Sequence, residues 1–177
     1  MSNVIQHIAG NYGKTGSPSL LKSRRDDDSS PRSDIAGLAG YRYISLNEMQ
    51  SGDRLDEQVV KLLAGRESIS ARPLYKEHIT YKPSGKVWLK TNHKPVVKED
   101  DDGIWRRLVV IPFGRKFTEV ERNPNLEEQL IQEADGILAW IIQGAVQWYK
   151  NGLSICPTIK QESVEYRTES DLLGHFL

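Results

Sequence analysis

The sequence predicts an α/β fold with a parallel sheet, and two observations lead to this. Short runs of β-forming residues at 41–46 and 86–89 alternate with longer stretches whose apolar residues recur at helical spacing. Each run also passes within a few residues into a polar side chain, Glu48 after the first and Asn92 after the second. Because functional groups of such sheets gather beyond the carboxyl ends of the strands, this coincidence is the first indication of a site.

The first half of the chain contains helical, loop and hairpin patterns around these runs. Apolar spacing predicts helices over residues 1–13 and 53–64. Residues 14–34 are rich in turn-forming and charged residues, which predicts a surface loop with a short helical piece at most. Residues 69–83 alternate and carry β-forming side chains, which predicts a β-hairpin.

The second half is predicted to contain one more strand and then helices. Residues 108–112 are continuously apolar, which predicts a third strand buried on both faces, after an acidic loop at 96–104. A long helical region is expected to start at Pro124. A further helix is expected over residues 158–176.

Composition places the chain among ordinary globular proteins and excludes several classes. Of its 177 residues, 38% are hydrophobic and 27% are charged, and 24 basic and 24 acidic residues give a formal net charge of zero. This balance argues against a polycationic DNA coat protein but leaves room for a local basic surface. The single cysteine, Cys156, excludes a disulfide framework and a cysteine-based zinc site. We therefore expect a cytoplasmic protein without a signal peptide, a membrane span or a membrane partner.

Four segments carry a more specific pattern than any single motif. They are ISLNEMQSGDRLDE (44–57), VVKLLAGRESISARPLY (59–75), KVWLKTNHKP (86–95) and DGIWRRLVVIPF (102–113). In order and spacing they resemble motif B, motif B′, motif C and the arginine-finger segment of the superfamily III (AAA+ class) helicase domain of phage and plasmid primase–helicases. The likeness continues downstream into residues 136–157 and 165–177. Upstream, residues 8–21 are similar to the segment that follows the family's nucleotide-binding helix, so nearly the whole chain is covered.

The resemblance implies a fold, an activity and partners. The fold would be a partial AAA+ (P-loop NTPase-like) core at residues 1–118, with a parallel sheet and a β-hairpin insert, followed by a C-terminal helical region at 119–177. Domains of this family bind ATP with Mg²⁺ between the subunits of a homo-oligomeric ring, usually a hexamer, and translocate on DNA. The chain would thus be a portion of an ATP-dependent DNA helicase used in phage or plasmid DNA replication.

Three matched residues are implied to act on ATP. Glu48, at the acidic position of motif B, would organise Mg²⁺ and polarise the attacking water; by itself it could equally be a solvated glutamate at a strand end. Asn92, the motif C residue, would hold that water or the γ-phosphate with its neutral amide. Alternatively it is simply a turn residue, because Asn-His-Lys-Pro is a typical turn sequence. Arg107 matches the arginine finger that stabilises transition-state charge in a neighbouring subunit's site, with Arg106 as the alternative. Without the resemblance, both arginines could simply form surface ion pairs.

A second group of residues is implied to contact DNA. Lys61 and Arg72 lie in motif B′ and could reach DNA or a neighbour's phosphates, although a lysine on an amphipathic helix usually faces solvent. In this superfamily the hairpin, here residues 72–84, projects into the central channel and contacts the DNA backbone. Cations beside an aromatic ring suit that contact, and the alternative is a solvent-exposed hairpin whose lysines bind nothing. The hairpin side chains in question are Lys76, His78, Tyr81 and Lys82.

The phosphate-binding loop of the family, G-x-x-x-x-G-K-[ST], is not found in the sequence. Gly13-Lys14-Thr15 has the final residues, but Ile8 stands where the first glycine belongs, and Pro18 disrupts the helix that should follow. We therefore expect this chain alone to lack ATP turnover. Two alternatives stay open: a non-enzymatic DNA-binding or ring-assembly module that works with a separately encoded N-terminal half, and the product of a decayed prophage gene. A DNA-binding regulator that uses residues 158–177 is disfavoured by the acidic side chains there.

Overall fold

The computed structural model describes residues 1–24, 32–98 and 101–170, and its centre is a three-stranded parallel sheet. The strands are β1 (Gly13–Gly16), β2 (Tyr43–Asn47), β3 (Ile69–Ala71), β4 (Ile79–Tyr81) and β5 (Lys86–Lys90). The helices are α1 (Ser2–Ala9), α2 (Ser33–Ala36), α3 (Glu57–Ala64), α4 (Asp102–Trp105), α5 (Leu126–Gln132), α6 (Ala134–Asn151) and α7 (Pro157–Ser170), with short 3-10 turns at Gly10–Tyr12 and Pro18–Leu20. The predicted α/β class, with a parallel sheet, a hairpin and C-terminal helices, is confirmed.

β2 is the central strand of the sheet. It pairs in parallel with β1 on one side and with β5 on the other, so that Tyr43 lies opposite both Gly13 and Lys86. Every residue of β2 before Asn47 is buried, as expected of a strand enclosed in a parallel sheet. α1 packs against β1 and β2, whereas the side chain of Leu46 belongs to the main apolar core that also contains α3 residues.

α3 begins at Glu57, later than the predicted start at residue 53, because Asp56 caps it. The Asp56 carboxylate accepts a hydrogen bond from the N–H of Val59 at 3.0 Å, which satisfies one of the free donors of the first turn. Asp53 instead closes the turn before the helix, since it accepts a hydrogen bond from the N–H of Gln50 at 2.7 Å and pairs with Lys22 at 2.6 Å. The hydrogen bond from Lys22 lowers the pKa of Asp53 below its usual value.

The prediction of a surface loop over residues 14–34 is wrong at its start, where β1 forms the first strand of the sheet. Its glycines allow neighbouring elements to approach closely: a Cβ on Gly16 would lie 2.9 Å from Cδ2 of Leu46, and one on Gly13 would lie 2.5 Å from the side chain of Gln6. Glycine has a poor intrinsic preference for strands, so tertiary packing overrides the local pattern here. Residues 25–31 of the predicted loop lie outside the described residues.

The lysine of the Gly13-Lys14-Thr15 segment has a structural contact in β1. Its Nζ atom donates a hydrogen bond to the carbonyl of Gly37 at 2.7 Å and lies 4.9 Å from the ring centroid of Tyr41. Gly13-Lys14-Thr15 therefore forms part of a strand instead of a loop between a strand and a helix.

The other predicted elements are present with shifted bounds. The predicted hairpin consists of β3 and β4, which pair antiparallel across a connecting loop at residues 72–78. The helical region expected from Pro124 consists of α5 and α6, and the helix expected over residues 158–176 is α7. The acidic loop ends earlier than predicted because α4 already starts at Asp102. Residues 99–100 and 171–177 of these predictions lie outside the described part of the chain.

The prediction of a third strand at residues 108–112 is wrong, because this extended segment joins no sheet. Its side chains still alternate as in a strand: Leu108 and Val110 pack against the main core, whereas Val109 and Ile111 are 48% and 41% exposed. A strand requires a hydrogen-bonded neighbour, and the sheet ends at β5, whose outer edge has no strand beside it in the described residues. The apolar segment thus has the side-chain alternation of a strand but no strand to pair with in the described residues.

α6 is the longest described helix and leaves large aromatic side chains exposed. Trp140 and Tyr149 are 72% and 90% exposed, although the helix also contacts α1. Exposed rings of this size mark surface that another polypeptide segment could cover. Within the described ranges, no helix combines the length and the apolar character needed to cross a membrane.

Candidate functional site

The two polar strand ends predicted to form a site lie side by side at the carboxyl edge of the sheet. β2 and β5 stay in register to their last residues, so Glu48 and Thr91 leave the sheet at the same level. The N–H of Glu48 donates to the carbonyl of Lys90 at 2.7 Å, which extends the ladder beyond the strand. The Thr91 hydroxyl lies 3.3 Å from the carbonyl oxygen of Met49 and joins the two turns. The structure therefore brings Glu48 and the turn that carries Asn92 together.

Glu48 has a backbone conformation that L-residues rarely adopt. Its φ angle is +56°, in the left-handed region, which costs a non-glycine residue about 1–2 kcal/mol. The following residue, Met49, is buried and anchors the chain in the core, so the exposed Glu48 side chain is turned out of the sheet at this point. Backbone strain of this kind concentrates at functional sites, and here it lies at the residue that the sequence selects.

Asn92 lies in a turn that is held from within. The Thr91 hydroxyl accepts a hydrogen bond from the N–H of His93 at 3.1 Å and lies 2.9 Å from the His93 carbonyl oxygen. This turn exposes the Asn92 side chain to solvent. Among the residues that the structure describes, none is hydrogen-bonded to the side chain of Asn92 or of Glu48. Both groups are thus free to bind a ligand or water.

The residues at this edge fit a magnesium ion that arrives with a nucleotide better than one held by protein alone. In the described ranges no group of three or more Asp, Glu, His or Cys side chains could hold a metal ion. Mg²⁺ bound to nucleotides typically keeps several waters and takes only one or two carboxylates from the protein. Glu48 would supply one carboxylate and Asn92, in the neighbouring turn, a neutral amide, so this donor set is compatible with a magnesium–nucleotide complex.

α4 positions the two arginines that resemble the finger segment. Its N-terminus is capped by Asp101, whose carboxylate accepts a hydrogen bond from the N–H of Gly103 at 2.6 Å. The guanidinium of Arg107 donates to the carbonyl of Gly103, so this half-buried side chain folds back over its own turn. Arg106 is exposed. The two arginines therefore differ: Arg107 is anchored against α4, and Arg106 extends into solvent.

Lys61 connects α3 to the capping residue of α4. Its ammonium group lies 2.7 Å from the Asp101 carboxylate, and this hydrogen bond is the largest reason why the pKa of Asp101 is lowered. The pair joins a motif B′ residue to the finger segment across the surface. A DNA contact by Lys61 stays a prediction, and it would have to compete with this ion pair.

α7 holds the Asn92 turn and the finger segment against each other. The Tyr166 hydroxyl donates to the carbonyl of Pro95 at 2.5 Å, and its ring meets that of Trp105 edge-on at 5.3 Å. Lys94, next to Pro95 in the same turn, forms ion pairs with Glu162 at 2.8 Å and also with Glu169. Burial raises the pKa of the Tyr166 hydroxyl above its ordinary value. α7 therefore contacts both the turn that carries Asn92 and the segment that leads to Arg107.

The hairpin presents cations and an unanticipated aromatic ring to solvent. Arg72 closes the loop, because its Nε atom donates to the carbonyl of Lys76 at 3.1 Å. Tyr81 points the other way: its hydroxyl donates to the carbonyl of Ile35 at 2.6 Å, and burial raises its pKa. Tyr75 at the loop is 93% exposed with a φ of +58°. The exposed basic and aromatic side chains of the hairpin are Arg72, Tyr75, Lys76, His78 and Lys82, and Leu74 and Glu77 of the same loop are exposed as well.

Comparison with known proteins gives the chain viral relatives. No protein-family model matches it. A protein of Acanthamoeba polyphaga mimivirus described as "Putative helicase" is 29% identical over 194 aligned positions, which cover the whole chain and 20% of the relative. A "Putative primase" of African swine fever virus is 23% identical with the same coverage, and a "Putative helicase" of Frog virus 3 is 22% identical over 98% of the chain. The chain is related to these viral helicases and primases.

The viral helicases and primases support the resemblance to a superfamily III primase–helicase domain. The chain spans about a fifth of the length of the curated relatives that it matches. It is aligned with them from end to end, or nearly so, which accords with motifs distributed along the whole sequence. The individual roles of Glu48, Asn92, Arg107 and the hairpin residues stay predictions.

The sequence alone does not indicate two residues that the structure places near the predicted ones. Tyr75 follows Leu74 in a proline-containing loop, and only its exposure beside Lys76 distinguishes it from Tyr81. The alternation of the hairpin could have separated them, since Tyr81 is on a strand and Tyr75 is in the connecting loop. The contacts of Tyr166 join residues far apart in the chain, and no local pattern indicates them.

Removing the Tyr166 hydroxyl should loosen the turn that carries Asn92. Tyr166→Phe keeps the ring against Trp105 but leaves the carbonyl of Pro95 without its donor, which should lower the free energy of unfolding by about 1–3 kcal/mol. Chemical denaturation measures this loss. Tyr149→Phe, on the exposed face of α6, is the matched control and should change it little. Equal effects of the two substitutions would contradict the role of this hydrogen bond.

Proposed function

We propose that the chain is part of a replicative DNA helicase of the primase–helicase type and acts on ATP that another polypeptide segment holds. The observation that carries this proposal is that the strand ends before Glu48 and Asn92 are held side by side. The N–H of Glu48 donates to the Lys90 carbonyl, and the Thr91 hydroxyl contacts the Met49 carbonyl. A free carboxylate and a free amide at the carboxyl edge of a parallel sheet form a suitable site for a nucleotide. The relationship to viral helicases and primases favours ATP over other nucleotides.

Each residue of the site has a distinct part in the proposed reaction. Mg²⁺ bound with the nucleotide would neutralise phosphate charge. The Glu48 carboxylate accepts a hydrogen bond from the attacking water and takes its proton. The Asn92 amide orients that water or the γ-phosphate without adding charge. Arg107 leaves its Gly103 contact to stabilise negative charge in the site of a neighbouring subunit in a ring, with a hexamer as the expected assembly.

The hairpin is the proposed DNA contact. The connecting loop carries Arg72, Lys76 and the exposed ring of Tyr75, and Lys82 directly follows β4. Cations and an aromatic ring on one hairpin suit binding of the phosphate backbone while the ring stacks on bases. Because every nucleotide has a phosphate and a base face, the contact would be insensitive to base sequence. Movement of the hairpin with the state of the ATP site would couple hydrolysis to translocation.

A second candidate is a non-enzymatic module that binds DNA or helps to assemble a ring. The exposed aromatic side chains of α6 favour it, since they indicate that a further polypeptide segment covers this surface. In this function the chain contributes its hairpin and Arg107 to a separately encoded N-terminal half. The two candidates differ in whether Glu48 and Asn92 take part in hydrolysis.

A chimera tests the enzymatic proposal. These 177 residues replace the aligned stretch of the mimivirus relative, and ATP hydrolysis is measured with and without DNA. We expect DNA-stimulated hydrolysis by the chimera and none by the isolated chain. A folded chimera without activity would favour the module, and turnover by the isolated chain would contradict the need for another segment.

Substitutions in the hairpin should weaken binding of single-stranded DNA by the isolated chain. Replacing Lys76 and Lys82 by alanine removes two phosphate contacts, so the salt dependence of log K should become shallower by about 0.7 per contact. Tyr75→Ala should cost about 1–3 kcal/mol of binding free energy through lost stacking. Fluorescence anisotropy titrations at several salt concentrations measure both effects.

The control for the hairpin substitutions is Lys150→Ala, on the exposed end of α6. It also removes one positive charge but should leave the salt dependence unchanged. If Lys150→Ala weakened binding as much as Lys76→Ala, the attraction would come from overall charge and not from the hairpin.

A further inference from the structure

The turn at residues 91–95, which carries Asn92, is fixed to one stripe of α7. The ammonium group of Lys94 lies 2.8 Å from the Glu162 carboxylate and 3.1 Å from that of Glu169. The two glutamates are two helical turns apart and therefore lie on the same face of α7. The hydrogen bond to Glu162 is the largest reason why the pKa of Lys94 is raised above its ordinary value. Lys94 thus connects the turn to two positions of the helix.

Tyr166, between these glutamates, contacts both the turn and the finger segment (residues 102–113). Its hydroxyl donates to the carbonyl of Pro95, and its ring centroid lies 5.7 Å from the ammonium group of Lys94. The same ring meets that of Trp105 edge-on at 5.3 Å. Since Tyr166 is buried in a packed environment, it has little room to move independently of these neighbours. A displacement of the turn would therefore reach the finger segment through this side chain.

A neighbouring stripe of α7 contacts the finger segment at two more points. The Ser163 hydroxyl accepts a hydrogen bond from the N–H of Val110 at 3.2 Å. The guanidinium of Arg167, one helical turn further along, lies 2.7 Å from the Asp102 carboxylate. Asp102 is largely exposed, so this ion pair contributes little by itself. Ser163 and Tyr166 are therefore the main connections between α7 and the finger segment.

Arg107 lies between the two parts of the finger segment that α7 contacts. Trp105 precedes it by two residues, and Val110 follows it by three. Asn92 and Arg107 also line one cleft of about 660 Å³, together with residues of α7. Because α7 is fixed to the turn that carries Asn92, the position of Arg107 depends on that turn as well.

We propose that Lys94 and Glu162 are positioning residues for Arg107, and that they transmit the occupancy of the site at Asn92 through α7 to the finger segment. A subunit would then offer its arginine to the neighbouring subunit only while it holds ATP itself. This coupling rests on the proposed function and deepens it, since it regulates the same site.

The amide of Asn92 is the place where such a signal starts. It lies two residues from Lys94, so binding of a γ-phosphate by this amide would shift the turn and the Lys94 ion pairs with it. Coupling between two sites travels through contiguous packed and polar contacts, and Lys94, Tyr166 and Trp105 supply them here. The pair of Lys94 and Glu162 is half-buried, with 33% and 26% of the side chains exposed, so solvent screens it less than a surface pair.

The first test measures whether the turn controls the finger segment in the isolated chain. Lys94→Met removes the ammonium group and both ion pairs while keeping most of the side-chain length. We expect hydrogen exchange at the N–H of Val110 to become roughly tenfold faster, because α7 loses its connection to the turn. Exchange at Leu46 in the central strand β2 is the reference for the overall fold and should not change.

Two matched variants accompany Lys94→Met. Lys94→Arg keeps the charge and should keep the slow exchange at Val110. Lys160→Met removes an exposed lysine from α7 itself and should also leave this exchange unchanged. Unchanged exchange at Val110 in Lys94→Met would overturn the proposal. Equal acceleration at Val110 and Leu46 would do the same, because the turn would then act on the whole fold and not on the finger segment.

The second test measures ATP hydrolysis by the chimera as a function of ATP concentration. If only an occupied subunit offers its finger, hydrolysis depends on two adjacent sites and the curve is sigmoidal. Glu162→Gln should make the curve hyperbolic while most of the rate at saturating ATP remains, a change that a purely stabilising role would not produce. Glu165→Gln removes a carboxylate from the exposed side of the same helix, and its curve should stay sigmoidal.

The outcomes separate the coupling from the helicase activity. A curve that stays sigmoidal in Glu162→Gln, or that is hyperbolic in the unsubstituted chimera, would overturn the coupling. So would a loss of rate at saturating ATP in Lys94→Met that Glu162→Gln does not share, because Lys94 would then bind ATP directly. A folded chimera without hydrolysis would instead contradict the proposed function, and exchange at Val110 would still decide whether the turn controls the finger segment.

Discussion

Arg107→Ala should abolish ATP hydrolysis by the chimera while leaving its fold and its nucleotide binding intact. A guanidinium that reaches the transferring phosphoryl group contributes about 10³–10⁵-fold to the rate, and no other substitution in the chain is expected to cost as much. Arg107→Lys should be nearly as inactive, because an ammonium group lacks the planar, forked geometry of the guanidinium. Steady-state hydrolysis and nucleotide affinity are measured in parallel.

Arg106→Ala is the control for this prediction, since it removes the same charge from the adjacent, more exposed position. It should keep most of the activity if Arg107 is the finger. The opposite result would assign the finger to Arg106 and leave Arg107 as a structural residue that stabilises the end of α4 through Gly103. Thermal unfolding of both variants separates a loss of activity from a loss of fold.

Mixing two inactive variants shows whether Arg107 acts on a neighbour. Arg107→Ala subunits retain Glu48, and Glu48→Gln subunits retain Arg107. If the finger works across the interface, mixed rings contain some sites with both groups, and hydrolysis reappears. If both residues serve the ATP of their own subunit, each mixed site still lacks one group and the mixture stays inactive.

The elements that the sequence predicts well are those whose signal is local. The helical spacing of α3, α6 and α7 and the alternation of the hairpin are properties of short stretches, and the structure confirms these elements. Their ends are less well predicted because single caps decide them. Asp56 starts α3 because its carboxylate accepts a hydrogen bond from the N–H of Val59. From the sequence, other acidic residues nearby are equally plausible caps.

The two errors in the strands have a common cause. Residues 13–16 have only one β-forming side chain, Thr15, and become a strand because they pair with the edge of β2 and because Gly16 fits against Leu46. Residues 108–112 are continuously apolar and form no strand, because no strand of the described residues lies beside them. Strand formation depends on a partner, and the identity of the partner is not encoded within the strand.

The candidate site was predictable only where it depends on strand ends. Glu48 and Asn92 were indicated by the polar residues that follow two β-forming runs, and pairing of β2 with β5 brings them together. The contacts of Tyr166, Trp105 and Lys94 depend on the position of α7, which docks across the chain from residues far away in sequence. Such long-range packing produces no periodic pattern in the sequence.

Glu48→Gln should stop hydrolysis by the chimera and preserve nucleotide binding. Loss of a general base costs about 10²–10⁴-fold in rate, and glutamine keeps the size of the side chain while removing its ability to take a proton. Glu67→Gln, an exposed glutamate in the turn after α3, is the matched control and should hydrolyse ATP normally. Single-turnover rates with radiolabelled ATP distinguish a chemical defect from slower binding.

The unusual backbone of Glu48 gives this prediction a second readout. Glu48→Gly should relieve a left-handed strain of about 1–2 kcal/mol while adding about 0.5–1 kcal/mol of unfolded-state entropy, so the free energy of unfolding should stay level or rise slightly. Activity should nevertheless be lost. A residue whose replacement abolishes turnover without destabilising the fold is retained for chemistry, since the chain tolerates the strain only for what the side chain does. If Glu48→Gly destabilised the protein strongly, the glutamate would instead be a structural residue of the turn, and the hydrolytic role would lose its main physical support.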